Sequence, residues 1–486
     1  MQLNTLLPES ELDPKLGALE IEKVQLDSRQ VEAGDAFFAL PGTQLDGAKF
    51  APKAAAQGAA AIIAAEDAEI EEPLSCPVIR VKDPARAVAL AAAIAAGPQP
   101  RIMAGVTGTA GKSSVVHFLR QIWQFCGLEA ASIGTIGITR SGGTDYGGLT
   151  TPDAVSLQNN LASLARDGVE AVALEASSHG IRQRRLDGVR FDAVAFTNLG
   201  RDHMDYHPTV EDYFAAKMRL FEILAPDKAT AVIDADGTMS DEAIKVANAR
   251  GLKLFTVGEK GKDLRLLRRE RSAQGQTLTL LHKGIEATVN VPLMGDFQAS
   301  NVLVAIGLTM ATGCKAVDCF NAAEKLSGTP GRMEFIGSTK GGASVFVDYA
   351  HKPDALKAVL EALRPFTTSR LISLFGCGGD RDHGKRPLMG EISASLADIT
   401  VVTDDNPRSE DPATIRAAIM AATPGALEIG DRREAIKHAI KMLEPGDILV
   451  IAGKGHEQGQ IVGDDILPFS DQEEARAALA AQGDAA

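Results

Sequence analysis

Aromatic residues are scarce in this chain of 486 residues: they make up 5%, with one tryptophan and four tyrosines. Cysteine is also scarce. The five cysteines (Cys76, Cys126, Cys314, Cys319 and Cys377) form no CxxC pair, and their odd count and wide spacing argue for a reducing compartment over a disulfide framework. No Cys/His metal cluster is present. Positive charge is short as well. Fifty Lys and Arg against 64 Asp and Glu leave a net charge of −14, the wrong sign for a protein that binds nucleic acid over its whole surface. Long apolar runs are missing: the longest, residues 87–96, is about half of the ~20 residues a membrane span needs. The opening MQLNTLLPESELD has no basic n-region and meets acid early, so no signal peptide is expected. These absences point to a cytoplasmic protein without a membrane span and without a nucleic-acid partner.

What is there is an ordinary globular balance, 45% hydrophobic and 23% charged, over a length that suggests two to four domains. GPQP at 97–100 and SGTPGR at 327–332 punctuate the chain as linkers do. They divide it into segments 1–100, 101–330 and 331–486. The middle segment alternates apolar runs suited to buried strands (IMAGVT, AVALEAS, DAVAFTN, TAVIDAD) with helix-period stretches at 113–125 and 210–224. The last repeats the style with RLISLFG, ITVVTDD and DILVIAG, and the first carries VQLDS, AFFAL and AAAIIAA. Such alternation predicts an α/β protein with parallel sheets covered by helices on both faces.

Each conspicuous polar motif directly follows a strand-like run. TGTAGKSS follows IMAGV, Glu175 ends AVALE, and NLGRDH follows AVAFT; GCGGDRD follows LISLF, DDNPR follows ITVVT, and GKGHE follows DILVIA. Open parallel sheets bind ligands outside the carboxyl ends of their strands. Two site-bearing faces, in two segments, are therefore expected to form one composite site.

The run GTAGKSS at 108–114 has small residues that let backbone N–H groups approach phosphate at a helix N-terminus. Lys112 can reach the β/γ-phosphates and Ser113 can ligate Mg2+. The strict pattern fails at its first glycine, where Val106 stands. Glu175 offers a second oxygen ligand to such a cation. His203 is read either as a further ligand or as a turn-capping or buried histidine. Lys217, in YFAAKMRLFEIL, reads from its local sequence as a lysine lying along an apolar helix with its charge in water. Arg182, Arg184, Arg185 and Arg190 form either a solvated face or a holder of an anionic substrate. Arg381 and Arg408, in polar loops after strands, suit carboxylates. Asp405-Asn406-Pro407 by itself is turn chemistry. GxSxG and a clear dinucleotide GxGxxG are absent. Phosphoryl transfer needs positioning and charge neutralisation more than a protein nucleophile.

Taken in order, LDSR (26–29), TGTAGKSS, LTTPD (149–153), EASSHG, TNLGRDHMDYH, AAK, GRME, DYAHKPD, FGCGGDRDHGKRP, TDDNPR and AGKGHE resemble the Mur ligase family of ATP-dependent amide-forming enzymes. The series spans nearly the whole chain. The resemblance implies three domains: a smaller N-terminal α/β domain (1–100) that binds the UDP-linked substrate, a central P-loop ATPase-type domain (101–330), and a C-terminal Rossmann-like α/β domain (331–486) that binds the amino acid. It implies that ATP and Mg2+ activate the carboxylate of UDP-N-acetylmuramoyl-L-alanyl-D-glutamate as an acyl phosphate, and that meso-2,6-diaminopimelate attacks it. A monomer is expected.

By the same resemblance, Gly108, Thr109, Ala110, Gly111, Lys112, Ser113, Ser114, Asn301, Arg332 and His351 would bind ATP. Ser28, Thr150, Thr151, Ser177, Gln183 and Arg185 would hold the UDP-linked substrate. Arg381, Asp405, Asn406, Pro407, Arg408, Gly453 and Glu457 would hold diaminopimelate. Lys112, Glu175, His203 and Lys217 would be catalytic. Metal ligands would be Ser113, Glu175, His203 and a carbamylated Lys217, which reverses the local reading of that lysine. The loop departs from the family's usual GTNGKT: Ala110 replaces Asn and Ser113 replaces Thr, so the hydroxyl is kept and one amide contact is lost. A ligase adding lysine or glutamate is disfavoured by DNPR. A partner-moving ATPase would not need DNPR or GKGHE. A non-catalytic nucleotide-sugar sensor should have lost Lys112, Glu175 or Lys217.

Overall fold

A computed structural model of the chain describes residues 1–42, 46–71, 73–200, 202, 206–272, 275–481 and 483. It divides into two compact units. One comprises Met1–Leu266, Leu281–Ile285 and Asn301–Ala322; the other comprises Leu267–Leu280, Glu286–Ser300 and Ala323–Ala486. Among the described residues no helix is long and apolar enough to cross a membrane.

The first unit opens with a parallel sheet of β1 (Val24–Gln25), β2 (Ala36–Ala39), β3 (Ala61–Ala65) and β4 (Val78–Val81), paired in that order. Its middle strands are buried on both sides because the pleat sends alternate side chains to two separate cores. Phe38 and Ile63 pack with Leu3, Leu6 and Val88, whereas Phe37 and Ile62 pack with Val31 and Ala54.

The larger sheet of this unit contains β5 (Ile102–Thr107), β6 (Ala130–Gly134), β7 (Gly137–Arg140), β8 (Gly143–Tyr146), β9 (Ala171–Glu175), β10 (Ala193–Phe196), β11 (Thr230–Asp234) and β12 (Lys253–Gly258). Their order is β12-β11-β10-β5-β9-β6-β7-β8. Pairing is parallel from β12 through β6, and antiparallel for β7 and β8. Every residue of β5, β9, β10 and β11 is buried, which is why these runs read as continuously apolar instead of alternating. Helices cover the sheet, and one core joins Phe191, Phe196 and Leu174 of its strands and loops to Leu157, Leu161 and Phe221 of its helices. The helix expected over 210–224 is α-helical only over Val210–Arg219. It then widens to a π-turn over Leu220–Leu224, closed by Ala225 N–H donating back five residues to Leu220 O at 2.9 Å. β13 (Leu264–Ser272) starts parallel to β12 and leads to β14 (Gly275–His282) and β15 (Ile285–Val291), in the order β15-β14-β13.

The second unit is built on β16 (Glu334–Ser338), β17 (Ser344–Asp348), β18 (Leu371–Phe375), β19 (Ile399–Val402), β20 (Leu427–Glu428) and β21 (Ile448–Ala452), ordered β16-β17-β21-β18-β19-β20. All pairs are parallel except β16 with β17. Phe346, Phe375 and Val450 face one helical layer, and Val345, Val347, Leu374 and Ile451 face the other. A short hairpin of β22 (Gly459–Val462) and β23 (Asp465–Pro468) follows. The α/β class and doubly covered parallel sheets are as the alternating pattern predicts.

Candidate active site

The loop after β5 is shaped by its glycines. Gly108 has φ +150° and Gly111 φ +87°, and a methyl group on either would overlap Thr197 Oγ1 or Asn301 Oδ1 respectively. Only glycine lets the loop lie this close to the end of β10 and to helix Asp296–Ala311. Gly111 caps helix Lys112–Phe125, and Ser113 and Ser114 are buried in its first turn. Lys112 folds back so that Nζ donates to Gly108 O and Thr109 O, both at 2.9 Å. Thr197 Oγ1 donates to Ala110 O at 2.7 Å, and Ala110 N–H donates to Asn198 Oδ1 at 3.1 Å. Asn301 and the 108–114 loop are thus brought together as expected. Thr197 and Asn198 are additional loop holders; the signal for them was their place directly after β10.

Lys217 lies in helix Val210–Arg219 with no exposure to solvent. Its Nζ donates to Gly108 O at 2.8 Å and sits 4.1 Å from the centre of the Tyr213 ring. Burial, then the nearby Lys112 charge, holds its ammonium well below the usual lysine range, with Asp202 opposing. The local expectation of a lysine with its charge in water is therefore wrong: the helix turns this side chain into the loop, where no water reaches it.

Glu175 ends β9, one strand over from β5, with Val106 as its register partner. It is buried, and its carboxylate accepts from Thr135 N–H at 2.9 Å and Thr135 Oγ1 at 3.2 Å. Thr135 Oγ1 in turn lies 3.1 Å from Thr150 Oγ1. Thr151 Oγ1 donates to Glu175 O at 2.7 Å and lies 3.0 Å from Ser177 Oγ. Arg185 donates to Thr151 O at 2.6 Å and, from two nitrogens, to Gln183 Oε1 at 2.6 and 3.1 Å. Thr150, Thr151, Ser177, Gln183 and Arg185 thus form one connected patch beside Glu175. Burial lowers the pKa of Arg185, so a ligand anion there would relieve an unfavourable charge. Arg182, in contrast, pairs with Asp212 at 2.5 Å, and Arg184 pairs with Asp83 at 3.0 Å. Ser28 is buried after β1, next to the Asp27–Arg29 ion pair, and no hydrogen bond among the described residues joins it to this patch. His203 lies outside the described residues.

The second unit holds the remaining expected residues. Arg332 lies over the Tyr349 ring at 4.6 Å, and His351 stands beside the same ring. The His351 Nδ1–H donates to Tyr349 O at 2.8 Å, which leaves Nε2 as its basic nitrogen, and burial lowers its pKa. Gly453 (φ +121°) brings its backbone against Asp405, whose Oδ2 would lie 2.5 Å from an added methyl group. Asn406 Nδ2 donates to Glu457 Oε2 at 3.0 Å. Arg408 has φ +51° and is fixed at its backbone by β22, donating to Ile461 O at 3.1 Å and accepting from Gly463 N–H at 2.8 Å. Its Nη1 reaches Gly379 O at 2.8 Å, and Gly379 N–H donates to Asn406 O at 2.9 Å. Pro407 packs its carbonyl on Gly379. Arg381 is exposed on the adjoining loop. Lys454, not singled out from sequence, is fully buried between Asn406 and Glu457.

Among the described residues no three His, Cys, Asp or Glu side chains converge as a metal cluster. The donors near the phosphate loop are instead a hydroxyl (Ser113) and a carboxylate (Glu175). Oxygen donors of this kind fit a hard cation that keeps several of its waters.

Comparison with known proteins gives the same reading along the chain. The Mur ligase middle domain matches residues 106–309, the Mur ligase glutamate ligase domain residues 331–455, and the Mur ligase family catalytic domain residues 20–98. The UDP-N-acetylmuramoyl-L-alanyl-D-glutamate–2,6-diaminopimelate ligase of Agrobacterium fabrum is 55% identical over 466 residues, which cover 96% of this chain and 94% of the relative. The ligase of that name from Brucella melitensis is 53% identical, covering 99% of each chain. A solved structure of a UDP-N-acetylmuramoyl-L-alanyl-D-glutamate–2,6-diaminopimelate ligase superposes with a TM-score of 0.75 at 34% identity, over 99% of both chains. The MurF ligase of Thermotoga maritima in complex with ADP, 19% identical with a TM-score of 0.61, shares the fold over 96% of this chain and 98% of its own. The chain belongs to the Mur ligase family.

Proposed function

We propose that this protein is an ATP-dependent, ADP-forming amide ligase. It joins meso-2,6-diaminopimelate to UDP-N-acetylmuramoyl-L-alanyl-D-glutamate in peptidoglycan precursor synthesis. The observation that carries this reading is identity of more than half, over nearly the whole chain, with ligases so named. The three segments divide the work: 1–100 for the uridine nucleotide, with Ser28, 101–330 for ATP, and 331–486 for the amino acid. The enzyme acts in the cytoplasm as a monomer.

The chemistry follows from the groups in place. Phosphate oxygens of ATP replace the carbonyls that Lys112 now meets, while the free backbone N–H groups at the start of helix Lys112–Phe125 serve the same phosphates; those of Thr109 and Ala110 are held by Asn198. Asn301, Arg332 and His351 serve the nucleotide. The patch of Thr150, Thr151, Ser177, Gln183 and Arg185 orients the substrate carboxylate towards the γ-phosphoryl group. The carboxylate oxygen attacks phosphorus, ADP leaves, and an acyl phosphate results. The amine of diaminopimelate then attacks the acyl carbon, and the tetrahedral intermediate expels phosphate to leave the amide. Asp405, Asn406, Arg408, Gly453 and Glu457, with Pro407 and Arg381 on the same loops, hold the amino acid. Ser113, Glu175, a carbamylated Lys217 and, by resemblance, His203 would hold Mg2+, which when bound neutralises phosphate charge. Carbamylation suits Lys217, because a neutral amine is the form that adds CO2 and burial favours it.

Phosphate release tests the proposal directly. With ATP, the UDP-muramoyl-dipeptide and a panel of amino acids, turnover is expected with diaminopimelate and not with lysine or glutamate. Release that needs no UDP-linked substrate would overturn it.

A further inference from the structure

Lys454 presents a buried charge with a particular set of partners. Its side chain has no solvent exposure, and taking an ammonium out of water is costly unless acceptors replace the water. Its Nζ donates to Asn406 Oδ1 at 2.8 Å and to Glu457 Oε2 at 3.2 Å. Asn406 closes the triangle through its Nδ2, which donates to the same Glu457 Oε2 at 3.0 Å. The amide of Asn406 can sit only one way round, since Oδ1 also accepts from Ile461 N–H at 3.0 Å. Glu457 is therefore held by one oxygen. Its Oε1 accepts no hydrogen bond among the described residues, and the side chain is 34% exposed. The turn that allows this has Gly453 at φ +121° and Gly455 at φ +55°, so the chain sends Lys454 inward and returns Glu457 to the surface.

We infer that Lys454 is a positioning residue for the incoming amino acid: by occupying Glu457 Oε2 together with Asn406, it aims Oε1 at the ligand's ammonium group. This rests on the proposed diaminopimelate ligase activity. Lys454 itself touches no reacting atom. It acts through Glu457, and its loss should weaken amino-acid binding while the nucleotide sites are unaffected.

Initial-rate kinetics on full-length Lys454→Met, with each substrate varied in turn, tests the inference. KM for diaminopimelate is expected to rise about tenfold, the scale of one hydrogen bond to a charged group, with KM for ATP and the UDP-linked substrate changed by less than about twofold. In a Glu457→Gln background the same substitution should add less than about twofold, because the group it acts through is already altered. An unchanged KM for diaminopimelate, a common rise in all three KM values, or a full tenfold effect in the Glu457→Gln background each overturns it. If Lys454→Met does not fold, Lys454→Arg, which keeps the charge on a longer planar head, is read by the same two criteria. A wild-type enzyme that turns over no diaminopimelate overturns the functional reading, and this inference with it.

Discussion

Lys112 and Lys217 donate to one acceptor, the carbonyl oxygen of Gly108, from 2.9 and 2.8 Å. One lysine comes from the helix that follows the loop and the other from a helix about a hundred residues later. Two cations on one carbonyl repel each other, and the fully buried one bears the cost. This is the physical setting for different roles: Lys112, at the start of its helix, can move to phosphate, while Lys217 is favoured as a neutral amine.

The first prediction concerns that neutral amine. Purified enzyme should carry CO2 on Lys217, visible in its intact mass, and CO2 depletion should lower activity until bicarbonate restores it. Lys217→Ala should be nearly inactive, and a short carboxylic acid in the buffer should restore part of the rate. Full activity with unmodified Lys217 would refute the assignment. The pH dependence has a definite sign. Because the folded-state pKa is lowered, the unfolded chain binds the extra proton between that value and 10.5. Stability in CO2-free buffer should therefore rise with pH across that window. Lys217→Met should flatten the rise in denaturant unfolding.

Lys112→Ala removes the cation nearest the transferred phosphoryl group. The expected loss in kcat is at least ~10²-fold, as for removal of a single preorganised charge contact. Near-normal turnover at saturating ATP would show that the loop works without it.

Gly134 ends β6, and a methyl group there would overlap Glu175 Oε1. Gly134→Ala should push the carboxylate out of its Thr135 hydrogen bonds. Activity should fall and the Mg2+ concentration for half-maximal rate should rise, read from a titration of rate against Mg2+. A variant with an unchanged Mg2+ curve would mean that Glu175 does not serve the metal.

Arg408→Ala should raise KM for diaminopimelate steeply, with KM for ATP and the UDP-linked substrate nearly unchanged. A guanidinium matches the distal carboxylate that lysine lacks. Lysine activity need not appear, because removing a mismatch does not create a fit. Unchanged diaminopimelate kinetics would remove Arg408 from the pocket.

Arg432 and Asp471 form a doubly hydrogen-bonded pair, 2.7 Å at each contact, with neither side chain exposed. Asp471→Ala would leave a buried guanidinium uncompensated, at a cost of ~3–5 kcal/mol. Calorimetry should show the loss as a lowered melting temperature; a shift within error would mean that water enters to solvate Arg432.

How far the sequence reached depends on the range of the interaction. Continuous apolar runs such as IMAGVT and AVALE announced strands buried on both faces, because burial on both sides leaves no reason for alternation. The glycines at 108 and 111 announced a tight loop between β5 and the helix that follows it, since backbone conformation is a local property. The hairpin of β7 and β8 and the short β4 went unread: their residues are polar or few, and their pairing partners stabilise them. Lys217 marks the limit most sharply. Its neighbours in the helix suit a lysine with its charge in water, and only the packing of that helix on the loop after β5 decides that the ammonium is buried. Lys454 is similar, lying in a motif quoted for its glycine and glutamate. The sequence by itself determined the α/β class, the strand-end placement of the motifs and the Mur ligase pattern, since these follow from periodicity and motif order. The tertiary structure decided which motif residues share hydrogen bonds and which charges lose water, because desolvation depends on what the rest of the chain places around a group.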